Sequence, residues 1–432
     1  MTDFIAVPPA REVRGTVAVP PSKSGTNRAL VLAALSETPV EIESPLESED
    51  TRALAGCLAA MGAVLRPSAR GLVVHGPLSG SADLETVLDA GESGTAARFL
   101  TALATATPGR FVVTGASRLR ERPIGELAAA LRSLGASIDT EAKTGGFPVR
   151  IRGGSLRSGR VAVDASRSSQ FLSALLLAAP AVAGGLEISA ASEIASAPYV
   201  GTTLETLRAF GHEVSGALRE RGFVRVARGS AGVARYAVPG DYSSAIPLLA
   251  SAGAAGGEVL LTGLAWPSAD ADAGALPVLE RLGVEITGGP AGVRARRSGP
   301  LAAVSVAATD FPDSVPVLAC LASLAPGESR FDGIGHLRVK ESDRIASIAD
   351  LLAAAGVEAS ARDNSLVVKG PARSRPGGGT VRLPTFDDHR IAMAGALLSL
   401  ALPGMLVENP GCVAKSYPRF FRDLEKLAVR DA

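Results

Sequence analysis

A chain of 432 residues is more than one ordinary hydrophobic core organises and points to about two or three domains. Its 47% hydrophobic and 20% charged residues are a globular composition, and 44 Lys plus Arg against 43 Asp plus Glu exclude the global charge of a nucleic-acid binder. Any anion site must therefore be a local cluster.

Met1 to Gly15 carries Asp3, Arg11, Glu12 and Arg14 and has no apolar core of signal-peptide length, so no export signal is read. Cys57, Cys320 and Cys412 are odd in number and far apart, which fits neither a disulfide framework nor paired metal-ligand spacing and points to a reducing cytoplasm. The uncharged run Phe171 to Leu186 is broken by Pro180 and Gly184-Gly185 and is shorter than the ~20 residues of a membrane span. It reads as a buried helix followed by a turn, and no membrane partner is expected.

Six clusters rich in Ser, Thr or Asp each open an apolar helical run: Pro21-Ser22-Lys23-Ser24, Glu92-Ser93-Gly94-Thr95, Ser166-Arg167-Ser168-Ser169, Asp241-Tyr242-Ser243-Ser244, Asp310-Phe311-Pro312-Asp313 and Thr385-Phe386-Asp387-Asp388. They recur about every 70 to 75 residues. Between them lies a second unit, an apolar helix ending in Gly and followed by strand, turn and strand, as in Leu58 to Leu65, Leu131 to Ile138 and Leu279 to Ile286. Gly62, Gly135 and Gly283 fall where a left-handed residue ends a helix. Leu72-Val73-Val74 and Leu366-Val367-Val368 have the β-branched content of strands.

Six such units predict a repeat-built α/β protein with three units per domain. Val19-Pro20-Pro21 and Val238-Pro239-Gly240 flank the first three, giving one domain of residues 21–239 and another of 1–20 plus 240–432. The first strand, Ile5 to Val19, then belongs with the C-terminal half.

The helix openings read either as ordinary N-caps of about 1 kcal/mol each or as anion sites, since helix N-termini offer free N–H groups and the positive dipole end. Lys23 with Arg28, and Arg390 beside His389, are harder to explain as capping, because a cation at a helix start is misplaced unless an anion is there too. Basic residues gather again in Arg118-Leu119-Arg120-Glu121-Arg122-Pro123, with Pro123 expected in a first helical turn. In Lys340-Glu341-Ser342-Asp343-Arg344 a helix is expected from Lys340 on, and Glu341 heads the stripe of Ile345, Ile348 and Leu352. A carboxylate there is either aimed into a cleft or a solvated capping charge.

Seven motifs together resemble those of the 5-enolpyruvylshikimate-3-phosphate synthases. They are Pro21 to Arg28, Gly94 to Arg98, Arg120 to Ile124, Ser168 to Phe171, Arg338 to Arg344, Asp388 to Met393 and Lys415 to Pro418, in the family's order and spanning nearly the whole chain. The resemblance implies two inside-out α/β barrel domains of three repeats each, joined by a double crossover, with the active site in the cleft between them. It implies transfer of the enolpyruvyl group of phosphoenolpyruvate to the 5-hydroxyl of shikimate 3-phosphate, in a cytoplasmic monomer that is a glyphosate target and needs no cofactor or metal.

By the same resemblance Lys23, Asp313 and Glu341 are catalytic, Asp313 taking the hydroxyl proton and Glu341 with Lys23 protonating the methylene carbon. Lys23, Ser24, Arg28, Ser168, Ser169, Gln170, Ser196, Tyr199, Asp313, His336 and Lys340 would hold shikimate 3-phosphate. Lys23, Gly94, Thr95, Arg122, Gln170, Arg344, His389, Arg390 and Lys415 would hold phosphoenolpyruvate. Two positions depart from the family pattern: Glu92 stands where Asn is usual, pointing away or pairing with a cation such as Arg98, and His336 stands where Asn often is, contacting substrate or packing at the surface. The related transferase acting on UDP-N-acetylglucosamine usually carries a reactive Cys in the loop that here reads Ser117 to Arg122, and none is there. Cys412, with no His in its immediate sequence, reads as a structural thiol rather than a nucleophile.

Overall fold

The computed structural model describes residues 3–81, 83–141, 145–218, 222–297, 299–372 and 379–430. The chain divides into two compact units, Pro21–Val238 and Met1–Pro20 with Pro239–Ala432, and so passes between them twice.

Each unit encloses three apolar helices. In the first they are Lys23–Ala34, Gly94–Ala106 and Gln170–Ala178; in the second Tyr242–Ala255, Val315–Ala322 and His389–Ala401. Almost every residue of these helices is buried, so none has the polar stripe of a surface helix, and within each unit they pack on one another. The strands alternate instead, as in Val149–Gly153 and Val224–Val226, which sets one sheet face on the helices and the other in water. The result is an inside-out α/β arrangement with a separate hydrophobic core in each unit.

Five of the six sheets share one order. Glu85–Asp89 runs parallel to Gly109–Thr114, which pairs antiparallel with Val149–Gly153, which pairs antiparallel with Ser137–Thr140. The same pattern links Gly159–Val163, Leu186–Ala190, Val224–Val226 and Val214–Gly216, and again Ser305–Ala307, Gly327–Asp332, Ser365–Gly370 and Glu358–Arg362. In the first sheet of each unit the parallel strand comes from far along the chain, just before a crossing: Arg235–Ala237 lies beside Val40–Glu43, and Glu12–Ala18 beside Gly257–Thr262. The sixth sheet joins Val381–Leu383, Met405–Glu408 and Phe4–Ala6.

The expected single strand Ile5 to Val19 is thus two strands, Phe4–Ala6 and Glu12–Ala18, in different sheets of the same unit. Pro8 and Pro9 lie between them, and proline cannot donate to a ladder. The outer helices Glu49–Ala60, Gly125–Ser133, Pro198–Ala209, Leu276–Arg281 and Arg344–Ala354 are each followed by a glycine at positive φ, from +83° at Gly211 and Gly356 to +100° at Gly283.

Two local expectations need correction. The helix expected from Lys340 begins at Arg344, because Asp343 caps it by accepting from the Ala346 N–H at 3.2 Å; Lys340 and Glu341 lie in the preceding turn. A good N-cap outweighed the apolar stripe. Pro123 precedes Ile124, the cap of Gly125–Ser133, and so stands outside the first helical turn. Among the described residues no helix is long and apolar enough to cross a membrane.

Gly253 lies within the buried helix Tyr242–Ala255, where a Cβ would meet Val284 Cγ2 at 2.7 Å and Leu321 Cδ1 at 3.0 Å. Gly253→Leu is therefore expected to overpack this core and lower unfolding free energy by about 1–3 kcal/mol, measured by urea denaturation; an unchanged midpoint would contradict this packing.

Candidate active site

In the unit Pro21–Val238 the three enclosed helices present their first residues as functional groups. Ser22 caps the first, its Oγ accepting from Gly25 N–H at 3.0 Å. Lys23 follows, and its Nζ donates to Asp50 Oδ2 at 2.9 Å. Asp50 is thus the anion that makes a lysine tolerable at this dipole end, and it sits in the first turn of Glu49–Ala60, favourable for a carboxylate. Arg28, one turn into the helix, is buried: its Nε donates to Thr203 Oγ1 at 2.8 Å, Nη1 to Ser24 O at 3.0 Å and to Ser24 Oγ, and Nη2 to Tyr199 O at 3.1 Å. The Phe99 ring lies 5.5 Å from the guanidinium carbon.

The second helix, capped by Ser93, begins with Gly94 against the Arg122 guanidinium; a Cβ on Gly94 would fall 2.5 Å from Arg122 Cζ. Arg98 donates to Gln170 Oε1 at 2.7 Å, Gly94 O at 3.2 Å and Pro123 O at 2.8 Å, while Gln170 Nε2 donates to Thr95 Oγ1 at 3.0 Å. This ties the starts of the second and third helices together and fixes the Gln170 amide. Glu92 is exposed. At the third opening Ser168 Oγ accepts from the Gln170 N–H at 3.2 Å, whereas Ser169 makes no side-chain cap. Ser196 is buried at φ 58°, an uncommon conformation for serine of the kind that clusters at functional sites.

In the other unit one guanidinium gathers three carboxylates. Arg344 Nη1 donates to Asp313 Oδ1 at 2.7 Å, Nη2 to Glu341 Oε2 at 2.8 Å and Nε to Asp388 Oδ2 at 2.8 Å. The second Asp313 oxygen accepts from Arg390 Nη2 at 3.1 Å, and Arg390 also donates to Ser243 O at 2.7 Å and Ser243 Oγ at 2.5 Å. Asp388 caps its own helix, accepting from Arg390 N–H at 2.9 Å, and accepts from Ser342 Oγ at 3.1 Å. Arg344, Asp388, His389 and Arg390 are fully buried, while Asp313 remains 23% exposed.

Burial alone would raise the Asp313 carboxyl, yet Arg390 and Arg344, with Lys340, hold it well below the usual carboxylate range. His336 is pushed down to about 3, by burial first and then by Lys340 and Arg344, against the opposing Asp313. Its imidazole is neutral near pH 7. Lys415 is buried in the turn Pro410–Lys415, which packs on His389–Ala401.

Residues 7–424 match the model of one family, EPSP synthase (3-phosphoshikimate 1-carboxyvinyltransferase). The chain belongs to the EPSP synthase family. It is 38% identical over 421 residues to the 3-phosphoshikimate 1-carboxyvinyltransferase of Syntrophobacter fumaroxidans, covering 98% of this chain and 99% of that one. The enzyme of the same name from Thermococcus kodakarensis is 42% identical over 422 residues, 97% and 98% of the two chains. Among solved structures, EPSP synthase from Acinetobacter baumannii superposes with a TM-score of 0.80 at 27% identity and 99% coverage of both chains.

The EPSP synthase motifs thus supply three bonded sets in the first unit, around Lys23, Arg28 and Arg98, and one carboxylate–guanidinium network in the second. Sequence reasoning missed Asp50, Arg98, Thr203, Asp241 and Asp388 as members of these networks. Asp241 and Asp388 were visible as caps, and their second role is not: Asp241 also accepts from Ser243 Oγ, which holds Arg390, and Asp388 also holds Arg344. Asp50 and Thr203 gave no signal, being bonded to residues 27 and 175 positions away.

Two measurements follow. The unfolded imidazole of His336 protonates near the usual 6.5 and the folded one near 3, so the unfolded state binds the extra proton between these values. Stability from a neutral His336 is present above about pH 6.5 and is lost as pH falls toward 3. His336→Gln is expected to flatten the fall of the denaturation midpoint across this window, and an unaltered slope would refute the assignment. Burial pushes Cys57 and Cys412 up to about 12 and raises Cys320 as well. The folded protein is accordingly expected to react slowly with an aromatic disulfide reagent and to release the full thiol titre only on unfolding; rapid native modification of Cys412 would restore it as a candidate nucleophile.

Proposed function

We propose that Lys23, Asp313 and Glu341 carry the family's reaction in this chain and that the bonded groups of the two units serve one pair of substrates. As a member of the EPSP synthase family, the chain moves the enolpyruvyl group of phosphoenolpyruvate to the 5-hydroxyl of shikimate 3-phosphate and releases phosphate. The observation that carries the assignment of roles is Asp313 bridging Arg344 and Arg390, with Glu341 on the same Arg344 guanidinium.

In this reading Asp313, ionised and partly exposed, accepts the proton of the attacking hydroxyl. Glu341 and Lys23 protonate the methylene carbon as the carbon–oxygen bond forms, giving a tetrahedral intermediate. Loss of phosphate and of a methyl proton then restores the enol ether. Ser24, Arg28, Ser168, Ser169, Gln170, Ser196, Tyr199, His336 and Lys340 hold shikimate 3-phosphate. Gly94, Thr95, Arg122, Gln170, Arg344, His389, Arg390 and Lys415 hold phosphoenolpyruvate. The substrates bring two phosphates and two carboxylates, and charge-assisted hydrogen bonds of about 1.5–3 kcal/mol each supply both affinity and charge stabilisation during the reaction. The protein acts in the cytoplasm as a monomer and is a glyphosate target.

Phosphate release is the test. The purified chain is expected to release phosphate with phosphoenolpyruvate and shikimate 3-phosphate and not with UDP-N-acetylglucosamine as acceptor. Lys23→Ala and Glu341→Ala are each expected to lower turnover at least 100-fold, the lower bound of the roughly 10²–10⁴-fold that one acid–base group contributes. Full turnover in either variant would remove that residue from the mechanism.

A further inference from the structure

Beside the start of Tyr242–Ala255 lies a cavity of about 320 Å³ to which neither motifs nor reaction assign a role. Its walls are mainly Tyr242, Trp266, Pro267, Leu276, Pro277 and Ile286. An apolar cavity of about 150 Å³ is enough to hold benzene, so this one has room for a substituted ring. Trp266 is the chain's one tryptophan and is 42% exposed. Its indole rests on Gly288, where a Cβ would come within 1.9 Å of the ring. Tyr242, only 1% exposed, donates its hydroxyl to the Ala265 carbonyl at 2.5 Å and closes the cavity floor. Glu280, also lining the cavity, is exposed, and among the described residues it enters no ion pair.

We propose that this cavity is a regulatory site for a small aromatic amine, its ring against the exposed Trp266 indole and its ammonium on the Glu280 carboxylate. A mostly apolar pocket with one orienting charge is the usual form of a small-molecule site. The site adjoins the network around Asp313 on two sides. Tyr242 precedes Ser243, whose carbonyl and hydroxyl accept from Arg390. Ala273 and Gly274 belong to the turn Ala271–Ala275, in which Asp272 accepts from Ser314 Oγ at 3.1 Å, next to Asp313. A ring seated here presses on the groups that position Arg390 and Asp313.

The binding claim is independent of the reaction; the regulatory claim rests on the function proposed above. With Trp266 as sole fluorophore under tryptophan-selective excitation, 2-phenylethylamine is expected to give a saturable change in emission. Phenylacetate, which has the ring but the opposite charge, is expected to bind at least tenfold more weakly, and Glu280→Gln to reduce 2-phenylethylamine affinity by a similar factor. No saturable change, or equal affinity for both probes, would overturn the site whatever the enzyme's activity. In phosphate-release assays saturating 2-phenylethylamine is expected to shift the KM for phosphoenolpyruvate at least twofold in the parent, with the shift requiring tenfold more amine in Glu280→Gln. Binding with KM unchanged would overturn the regulatory role.

Discussion

An arginine is costly to bury unless oxygens meet most of its N–H groups, and the largest fully buried side chains described in this protein are Arg28, Arg98, Arg344 and Arg390. Each springs from the first or second turn of a helix, three of them from helices enclosed on every side. The inside-out fold creates this situation. Sheets take the solvent and helices the interior, so the polar helix starts are the places where functional charge can emerge from an apolar barrel.

The two units meet the constraint differently. In Pro21–Val238 the recorded bonds of Arg28 and Arg98 run to carbonyl, hydroxyl and amide oxygens, with the faces of Phe99 and Phe171 beside them. Such partners orient a guanidinium without cancelling its charge, which suits a surface that must attract anions. In the other unit Arg344 is bonded to three carboxylates and Arg390 to one of the same three. Removing one member of such a buried set leaves an uncompensated charge, typically a loss of about 3–5 kcal/mol, so the network specifies its own geometry.

What was legible in the sequence was local. Ser22, Ser93, Asp241 and Asp388 announce helix starts because a cap acts within three residues, and Gly62, Gly135 and Gly283 announce helix ends because a positive φ excludes most other residues. The repeat period then carried the architecture from one unit to six. The pairings that make the site were not legible: Lys23 with Asp50 and Arg344 with Asp313 join different elements of one repeat, Arg28 with Thr203 and Arg344 with Asp388 join separate repeats, and no periodicity links any of them. Even the local reading erred where two signals competed, at Glu341, whose place on an apolar stripe lost to the stronger cap at Asp343.

Asp313 shows why the networks matter to the chemistry. The base role proposed for Asp313 needs an ionised carboxylate, which two guanidinium bonds supply; the same bonds make it a poor proton acceptor. In the proposed mechanism the conflict is resolved by charge brought in with the substrates. An anion at Arg390 or Arg344 lowers the positive potential at Asp313, and the proton affinity of the carboxylate rises when, and only when, the site is occupied. Binding and base strength are thereby coupled through shared arginines, with no need for a separate switch.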